Sequence, residues 1–435
     1  MYDLRFLHGR VYQDGHFVRT NLYVKDGLIA CLSTDLFDAE TTYDCADNLV
    51  LPGLIDPHTH FDLDLGWIRS VDDFHTGSIA AACGGVTTIV DFLDPVATSS
   101  EMITAFERRK QQAESSIIDV KFHACLANPT DSLERIVSTM LERKMNTVKL
   151  FTTYSDSNRR TYDPDIKRLL ELSKTYDFTV LAHIENDDMI VLSKHDSYVD
   201  LPDIRSTMSE TSEALKLAGF VRDTGGSLYM VHCSSGATLE ELIKQYSDIL
   251  GSKMWIETCP HYVQFDRSVL KREDGYLYTM APPLRSKAEQ QTLIHRIDSI
   301  NTIGTDHCSF LSTDKNVTKL KDMPLGIGGI EESFRVLHTL FGDKIIDKMS
   351  KQVAMVHGLY PQKGTLSVGS DADLFVYHQE PSIIDTYHGA SDYSVYDGLA
   401  VDGWIKATLS RGTFVYRNQE VNTSHRGQLL HPKGV

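Results

Sequence analysis

No stretch of this sequence approaches the ~18 uninterrupted apolar residues that a membrane-spanning helix requires, so no membrane span is expected. The opening residues, Met1-Tyr2-Asp3-Leu4-Arg5, lack the basic start and apolar run of a signal peptide. Basic residues are in deficit, with 43 Lys and Arg against 60 Asp and Glu, and the formal charge is −17. That balance disfavours nucleic acid as a partner, because phosphate binding needs a basic surface. Cysteines number only seven, are dispersed and form no Cys-x-x-Cys pair. A disulfide scaffold and a zinc finger are thereby disfavoured, and the cysteines read as small buried residues of a reducing cytoplasm. Internal repeats and low-complexity linkers are missing as well.

What is present is ordinary for a globular chain, with 41% apolar and 24% charged residues. The 435 residues suffice for one large barrel and a smaller companion domain. The first ~50 residues read as short strands and turns, with an Asp-Gly hairpin signal inside Asn21–Ile29. Strand and helix patterns then alternate. Strand candidates are 50–56, 86–92, 120–126, 147–151, 179–183, 228–232, 254–258 and 302–306, with helical segments between most of them. Eight such strands give the (β/α)₈ count. After Ile330–Phe341 the pattern returns to turns and strands until about Tyr416. The predicted fold is therefore α/β, a (β/α)₈ TIM barrel over 51–360. A small β-sandwich is built from both chain ends, 1–50 and 361–420. Residues 421–435, polar and punctuated by Gly and Pro, are either a frayed tail or an arm that docks on a neighbouring subunit.

Six polar residues stand at or near the ends of these strands: His58, His60, Lys149, His183, His232 and Asp306. A barrel puts them on one rim, where barrel enzymes do their chemistry. In Asp56-Pro57-His58-Thr59-His60 the extended backbone points both imidazoles to one side, so both can bind one ion. A single histidine after an apolar run is more often a satisfied buried residue. His183 and His232, at successive strand ends on the rim that carries His58 and His60, reverse those odds. Asp306 can cap the next segment, but in this ring it is better read as a ligand and as the base that takes a proton from water. Imidazole and carboxylate donors suit Zn²⁺ and its neighbours. Lys149 sits inside an apolar strand, where an unpaired amine tends to lose its charge. A neutral amine reacts with CO₂ to give a carbamate, an anion able to bridge two cations. The alternative is a lysine snorkelling from a strand end.

Further motifs join these: Ala81-Ala82-Cys83-Gly84-Gly85, Val148-Lys149-Leu150-Phe151, Glu257-Thr258-Cys259-Pro260-His261-Tyr262, Ala281-Pro282-Pro283-Leu284-Arg285, Thr305-Asp306-His307-Cys308 and Pro361-Gln362-Lys363-Gly364. With these the chain resembles the amidohydrolase superfamily, in the hydantoinase/dihydropyrimidinase group of cyclic amidohydrolases. The resemblance implies binuclear hydrolysis of a cyclic amide C–N bond, opening a hydantoin or dihydropyrimidine ring. It places His58, His60 and Asp306 on one divalent ion and His183 and His232 on a second, with Zn²⁺ the first choice. A carboxylated Lys149 and a hydroxide bridge the two ions. The hydroxide attacks the carbonyl, Asp306 shuttles its proton to the leaving nitrogen, and Tyr154 stabilises the oxyanion. A small-molecule substrate and a homotetramer or homodimer are implied as well.

Some positions depart from the group. Pro324-Leu325-Gly326 puts Leu325 where the group carries a substrate-binding Asn, and Ala281 replaces a Ser. Dihydroorotases carry Arg where this chain has Asp62, an acid that argues against dihydroorotate by charge repulsion. Leu63, Leu65, Trp67, Leu93 and Phe151 fall where rim loops select the ring substituent, and their bulk suggests an apolar one. Simple loop packing explains them equally well. Allantoinase, or another cyclic imide hydrolase, is the alternative within the class. A non-catalytic dihydropyrimidinase-related scaffold ranks lower because all six ligand positions are kept. His261 and His307 read as supporting or packing residues.

Overall fold

The computed structural model describes residues 1–193 and 195–432. Eight parallel strands follow one another in chain order: Leu54–Thr59, Val86–Phe92, Asp119–Cys125, Thr147–Phe151, Thr179–His183, Leu228–Met230, Met254–Thr258 and Thr302–Ile303. A parallel bridge between Thr59 and His307, with the His60 amide donating to the His307 carbonyl at 2.8 Å, closes the ring. Most strand residues are buried on both faces, which is why these segments read as near-continuous apolar runs. Amphipathic helices cover the outside. Asp163–Tyr176 and Thr207–Thr224 have the bounds their periodicity predicts. No helix among the described residues is long and apolar enough to cross a membrane.

The expected first barrel strand, 50–56, is two strands in two sheets. Leu49–Pro52 pairs in parallel with Tyr2–Gln13 and antiparallel with Leu374–His378. It thereby ties the two chain ends into one nine-stranded sheet. Leu54–Thr59 belongs to the barrel. The break falls at Gly53, where a Cβ would lie 2.3 Å from Thr87 Oγ1 and 3.0 Å from Asp373 Cβ. Only glycine lets the backbone pass between the two sheets. Phe6 and Tyr43 from one end of the sheet meet Phe414 from the other, at ring distances of 6.1 and 5.5 Å. The sheet therefore folds over itself into the small sandwich, around a core of its own.

The segment after Val421 lies on its own barrel. The Val120 amide donates to the Gln428 carbonyl and the Leu430 amide to the Val120 carbonyl, at 2.9 and 2.7 Å. Residues 427–430 are thus held on this chain's own barrel rather than frayed; residues 433–435 lie outside the described ones.

Barrel, sandwich and tail meet at Lys363, from the Pro-Gln-Lys-Gly motif. Its buried amine contacts Asp119 at the start of a barrel strand, Asp371 at 2.8 Å and Asp373 at 2.7 Å. Asp119 also accepts from the Gln428 amide at 2.8 Å. Three carboxylates converging in a buried site repel one another unless a cation sits between them. Removing it as Lys363→Met leaves Asp371 and Asp373 uncompensated, with Arg411 remaining only on Asp119. We expect a loss of about 3–5 kcal/mol, read as a lower midpoint in urea unfolding with an unchanged slope.

Candidate metal centre at the barrel rim

The backbone places the candidate ligands where the strands end. His58 closes the first barrel strand and His60 follows it, while Lys149 and His183 lie on adjacent strands in register, Lys149 opposite Leu181 and Phe151 opposite His183. His232 and Asp306 lie just past their strands, at φ +42° and +52°. Tyr154, in the loop beyond Lys149, has φ +70°. Left-handed backbone at a non-glycine residue costs about 1–3 kcal/mol and concentrates at functional sites. These turns carry the three side chains onto the wall of a shared cavity.

The result is one cavity of about 250 Å³. His58, His60, Lys149, Tyr154, His183, His232 and Asp306 all line it. Leu63, Leu65, Trp67, Leu93, Phe151, Ala281 and Leu325 form other parts of its wall. Asp62 does not face it. Its carboxylate is held by Arg69 Nη1 at 2.8 Å and by Gln112, so the charge repulsion expected from this acid is not directed at the cavity.

Asp306 Oδ1 is 3.1 Å from Nε2 of both His58 and His60. His58, His232 and Asp306 present ligand atoms within 4.8 Å of one another. The rings of His183 and His232 are 4.7 Å apart, which sets His183 beside that three-residue cluster rather than in it. Lys149 Nζ faces the rings of Phe92 and Phe151, at 5.0 and 5.6 Å. Burial lowers its pKa and so favours the neutral amine.

Two carboxylates without a role in the sequence reading orient the histidines. Glu257 Oε1 lies 2.8 Å from His58 Nδ1 and accepts the His232 amide at 2.9 Å, while Tyr229 donates to Oε2 at 2.7 Å. The acid therefore fixes one proton of His58 on Nδ1, so that Nε2 is the nitrogen left for a cation once its own proton is lost. That Nε2 is buried and makes no well-aligned hydrogen bond among the described residues, although Asp306 Oδ1 is 3.1 Å away. A buried, unpartnered imidazole nitrogen beside a carboxylate oxygen is what a cation requires. Glu185 does the same for His183, with Oε2 2.6 Å from Nε2, which leaves Nδ1 as the free ring nitrogen. Burial alone would raise Glu185, but Arg205 and His183 hold it at about 2. Burial lowers His183 to about 4, so its ring is neutral and fit to ligate.

A signal for both acids was in the sequence. Glu257 ends an apolar strand, inside a matched motif, and Glu185 follows His183 by two. A buried acid at a strand end needs a partner. His307 is a supporting residue, with Nε2 3.0 Å from Asp72 and Nδ1 accepting the Gly329 amide at 3.2 Å. His261 packs on Tyr262 at a ring distance of 4.2 Å.

Fold and rim together define a closed β/α barrel with a histidine- and carboxylate-lined centre at the C-terminal ends of its strands. The comparisons agree. An amidohydrolase family model matches residues 49–415. The chain is 31% identical to the D-hydantoinase of Geobacillus stearothermophilus, over 92% of this chain and 90% of that protein. A crystal structure of a D-hydantoinase superposes with a TM-score of 0.93 at 29% identity, covering 99% of this chain and 98% of that one. The dihydropyrimidinase of Brevibacillus agri superposes with a TM-score of 0.92 at 27% identity, covering 99% and 98%. The chain belongs to the amidohydrolase family.

Two outcomes follow for metal binding. Glu257→Gln keeps the shape but weakens the acceptor for His58, and metal affinity should fall about 10- to 100-fold, measured by competition with a chromogenic chelator. The second concerns pH. Burial disfavours a charged His58, but Glu257 and Asp306 outweigh it and raise its pKa to about 9 in the metal-free chain. Below that pH a cation must expel the proton, so apparent affinity should rise with pH toward 9 and level above it. Calorimetry in buffers of different ionisation enthalpy would count the protons released.

Proposed function

We propose that this protein opens a cyclic amide, a hydantoin or a dihydropyrimidine, by hydrolysing a ring C–N bond. The observation that carries this reading is the convergence of four histidines, Lys149, Asp306 and Tyr154 on one cavity whose remaining wall is largely apolar. The family likeness over nearly the whole chain supports it.

In this reading His58, His60 and Asp306 hold one divalent ion, and His183 and His232 a second. Imidazole-rich donors favour Zn²⁺. Lys149 would take up CO₂, its amine nitrogen bonding to carbon with loss of one proton, and would then offer the centre a carboxylate donor. The buried amine, facing two aromatic rings, supports that step. When bound, the ions lower the pKa of water and polarise the scissile carbonyl.

The chain's own groups do the rest. Asp306 accepts the proton of the attacking water and returns it to the ring nitrogen as the C–N bond breaks. Burial raises the Tyr154 hydroxyl to about 12, so it stays protonated at neutral pH and donates to the oxygen on which charge develops. Arg205 lies 4.9 Å from the Tyr154 ring and holds Glu185, tying the phenol to His183. Leu325 and Ala281 offer no side-chain hydrogen bond to the ring, so backbone groups must fix it. Free, mostly buried cysteines support a reducing cytoplasm, and the likeness to hydantoinases supports a homotetrameric or homodimeric assembly.

Ring opening of hydantoin, dihydrouracil, allantoin and dihydroorotate by the Zn²⁺-loaded enzyme tests the reading, with metal content measured on the same sample. We expect two ions per chain and turnover of a hydantoin or dihydrouracil. Turnover of allantoin alone would shift the reading to allantoinase. Lys149→Ala should lose activity by at least about 10³-fold together with most of its metal. Full metal content and full turnover in that variant would remove Lys149 from the centre.

A further inference from the structure

The loop that carries Tyr154 ends in two adjacent arginines with opposite surroundings. Arg160 turns outward, its Nη1 lying 3.2 Å from Asp187 and 3.0 Å from Asp188. Arg159 lines the cavity instead. Among the described residues it makes no ion pair.

Three other charged side chains at or beside the site, Arg109, Asp94 and Arg205, are occupied, and Lys149 faces aromatic rings. Arg109, also on the cavity wall, is bound to Asp91 and donates to the Phe61 and Phe92 carbonyls at 2.7 and 3.1 Å. Asp94 is taken by Arg108. Arg205 is taken by Glu185. Arg159 is thus a half-buried, uncompensated cation on the wall of the site, in a chain whose formal charge is −17. It also borders a groove outside the cavity, together with Leu65, Pro95, Ser157 and Asn158. That places it at the outer end of the site, past the apolar side chains of Leu65 and Phe151.

Its position is held rather than free. The Arg159 amide donates to the Tyr154 carbonyl at 3.0 Å. Asn158 is bonded to Asn128 at 2.7 Å, and Thr153 to Asp187 at 2.9 Å. A guanidinium with spare donors, carried on a fixed backbone on the wall of an apolar cavity, suits a planar anion, which it can bind through two parallel hydrogen bonds.

We propose that Arg159 binds a carboxylate carried on an arm of the cyclic amide, so that the preferred substrates are ring amides with an acidic substituent. This rests on the ring-opening reading above and adds the chemistry of the substituent. The apolar side chains pack the stem of the arm, and Arg159 meets its end. The acids on that side are answered by other cations: Asp62 and Asp64 are held by Arg69, and Asp94 by Arg108.

The test compares two hydantoins of equal shape on the Zn²⁺-loaded enzyme, one with a 2-carboxyethyl arm at carbon 5 and one with the corresponding primary carboxamide. Unsubstituted hydantoin and dihydrouracil complete the set. We expect kcat/KM for the acid to exceed that for the amide by about 10-fold or more, mainly through KM, and the gap to narrow in high salt. Arg159→Gln should bring the ratio to about one. Arg159→Glu should invert it in favour of a 2-aminoethyl arm, an inversion that loss of loop structure alone would not produce. Equal kcat/KM for acid and amide, or a ratio unchanged in Arg159→Gln, overturns the assignment of Arg159 while leaving ring opening intact. Failure to open any of the rings, with both metals bound, overturns the ring-opening reading and this one with it.

Discussion

Closure of the barrel is the constraint on which the centre depends. His58 and His60 come from the first barrel strand and Asp306 from just beyond the eighth, separated by almost the whole length of the barrel sequence. They meet because Asp56 binds both ends at once. Its carboxylate accepts the His58 amide at 3.0 Å, the Thr305 amide at 3.1 Å and the Thr305 hydroxyl at 2.5 Å. Burial still raises its pKa to about 6, the mark of an acid kept in the interior for the bonds it makes. Gly304 completes the seam. A side chain there would press on Glu257 Oε2 and on His58 Cβ, both 2.9 Å away. Ring closure and ligand geometry are therefore one structural fact.

Around that seam the acids form a graded shell. Asp306 faces the cavity, Glu257 and Glu185 stand behind histidines, and Asp56 and Asp91 hold backbone. Asp91 accepts the Thr59 hydroxyl at 2.8 Å and the Phe61 amide at 2.9 Å, and Arg109 neutralises it. Each of these acids has hydrogen-bond partners matched to it, as the cost of desolvation requires. The groups that lack such partners are instructive. His58 Nε2 makes no well-aligned hydrogen bond, Lys149 faces only rings, and Arg159 has no acid. All three line the cavity, where a ligand can satisfy them.

The arithmetic of eight strands and the placement of the histidines were legible in the sequence, because strands buried on both faces leave apolar runs and the polar residue that ends each run stands out. The end of Leu49–Pro52 was not legible. Val50 to Ile55 carries no polar side chain, and the close approach of Gly53 to Thr87 marks where the chain changes sheets. The role of Glu257 was hidden for a related reason: its partner is 199 positions away, and no periodicity reports a contact of that range. Asp62 misled because a position in a motif does not state which way a side chain points. Its left-handed backbone, φ +52°, accompanies a side chain held by Arg69 and Gln112 outside the cavity. Arg159 and Arg160 make the same point, since two identical neighbours face opposite environments and the sequence cannot rank them.

The short turn from Tyr154 to Arg159 joins recognition to chemistry. The Arg159 amide and the Tyr154 carbonyl close it, and Asp187 and Asn128 fasten its flanks. A group bound at Arg159 thereby acts on the loop that aims the Tyr154 hydroxyl. Binding energy gained far from the scissile bond is then realised chiefly as a lower KM for a ring that carries the arm. The left-handed conformation of Tyr154 gives this coupling a physical basis. A strained residue persists only where its surroundings over-determine it, and here those surroundings include the cation that meets the substrate's far end. On this argument the loop is a single element that reads the arm and serves the carbonyl, hung from the strand that carries Lys149.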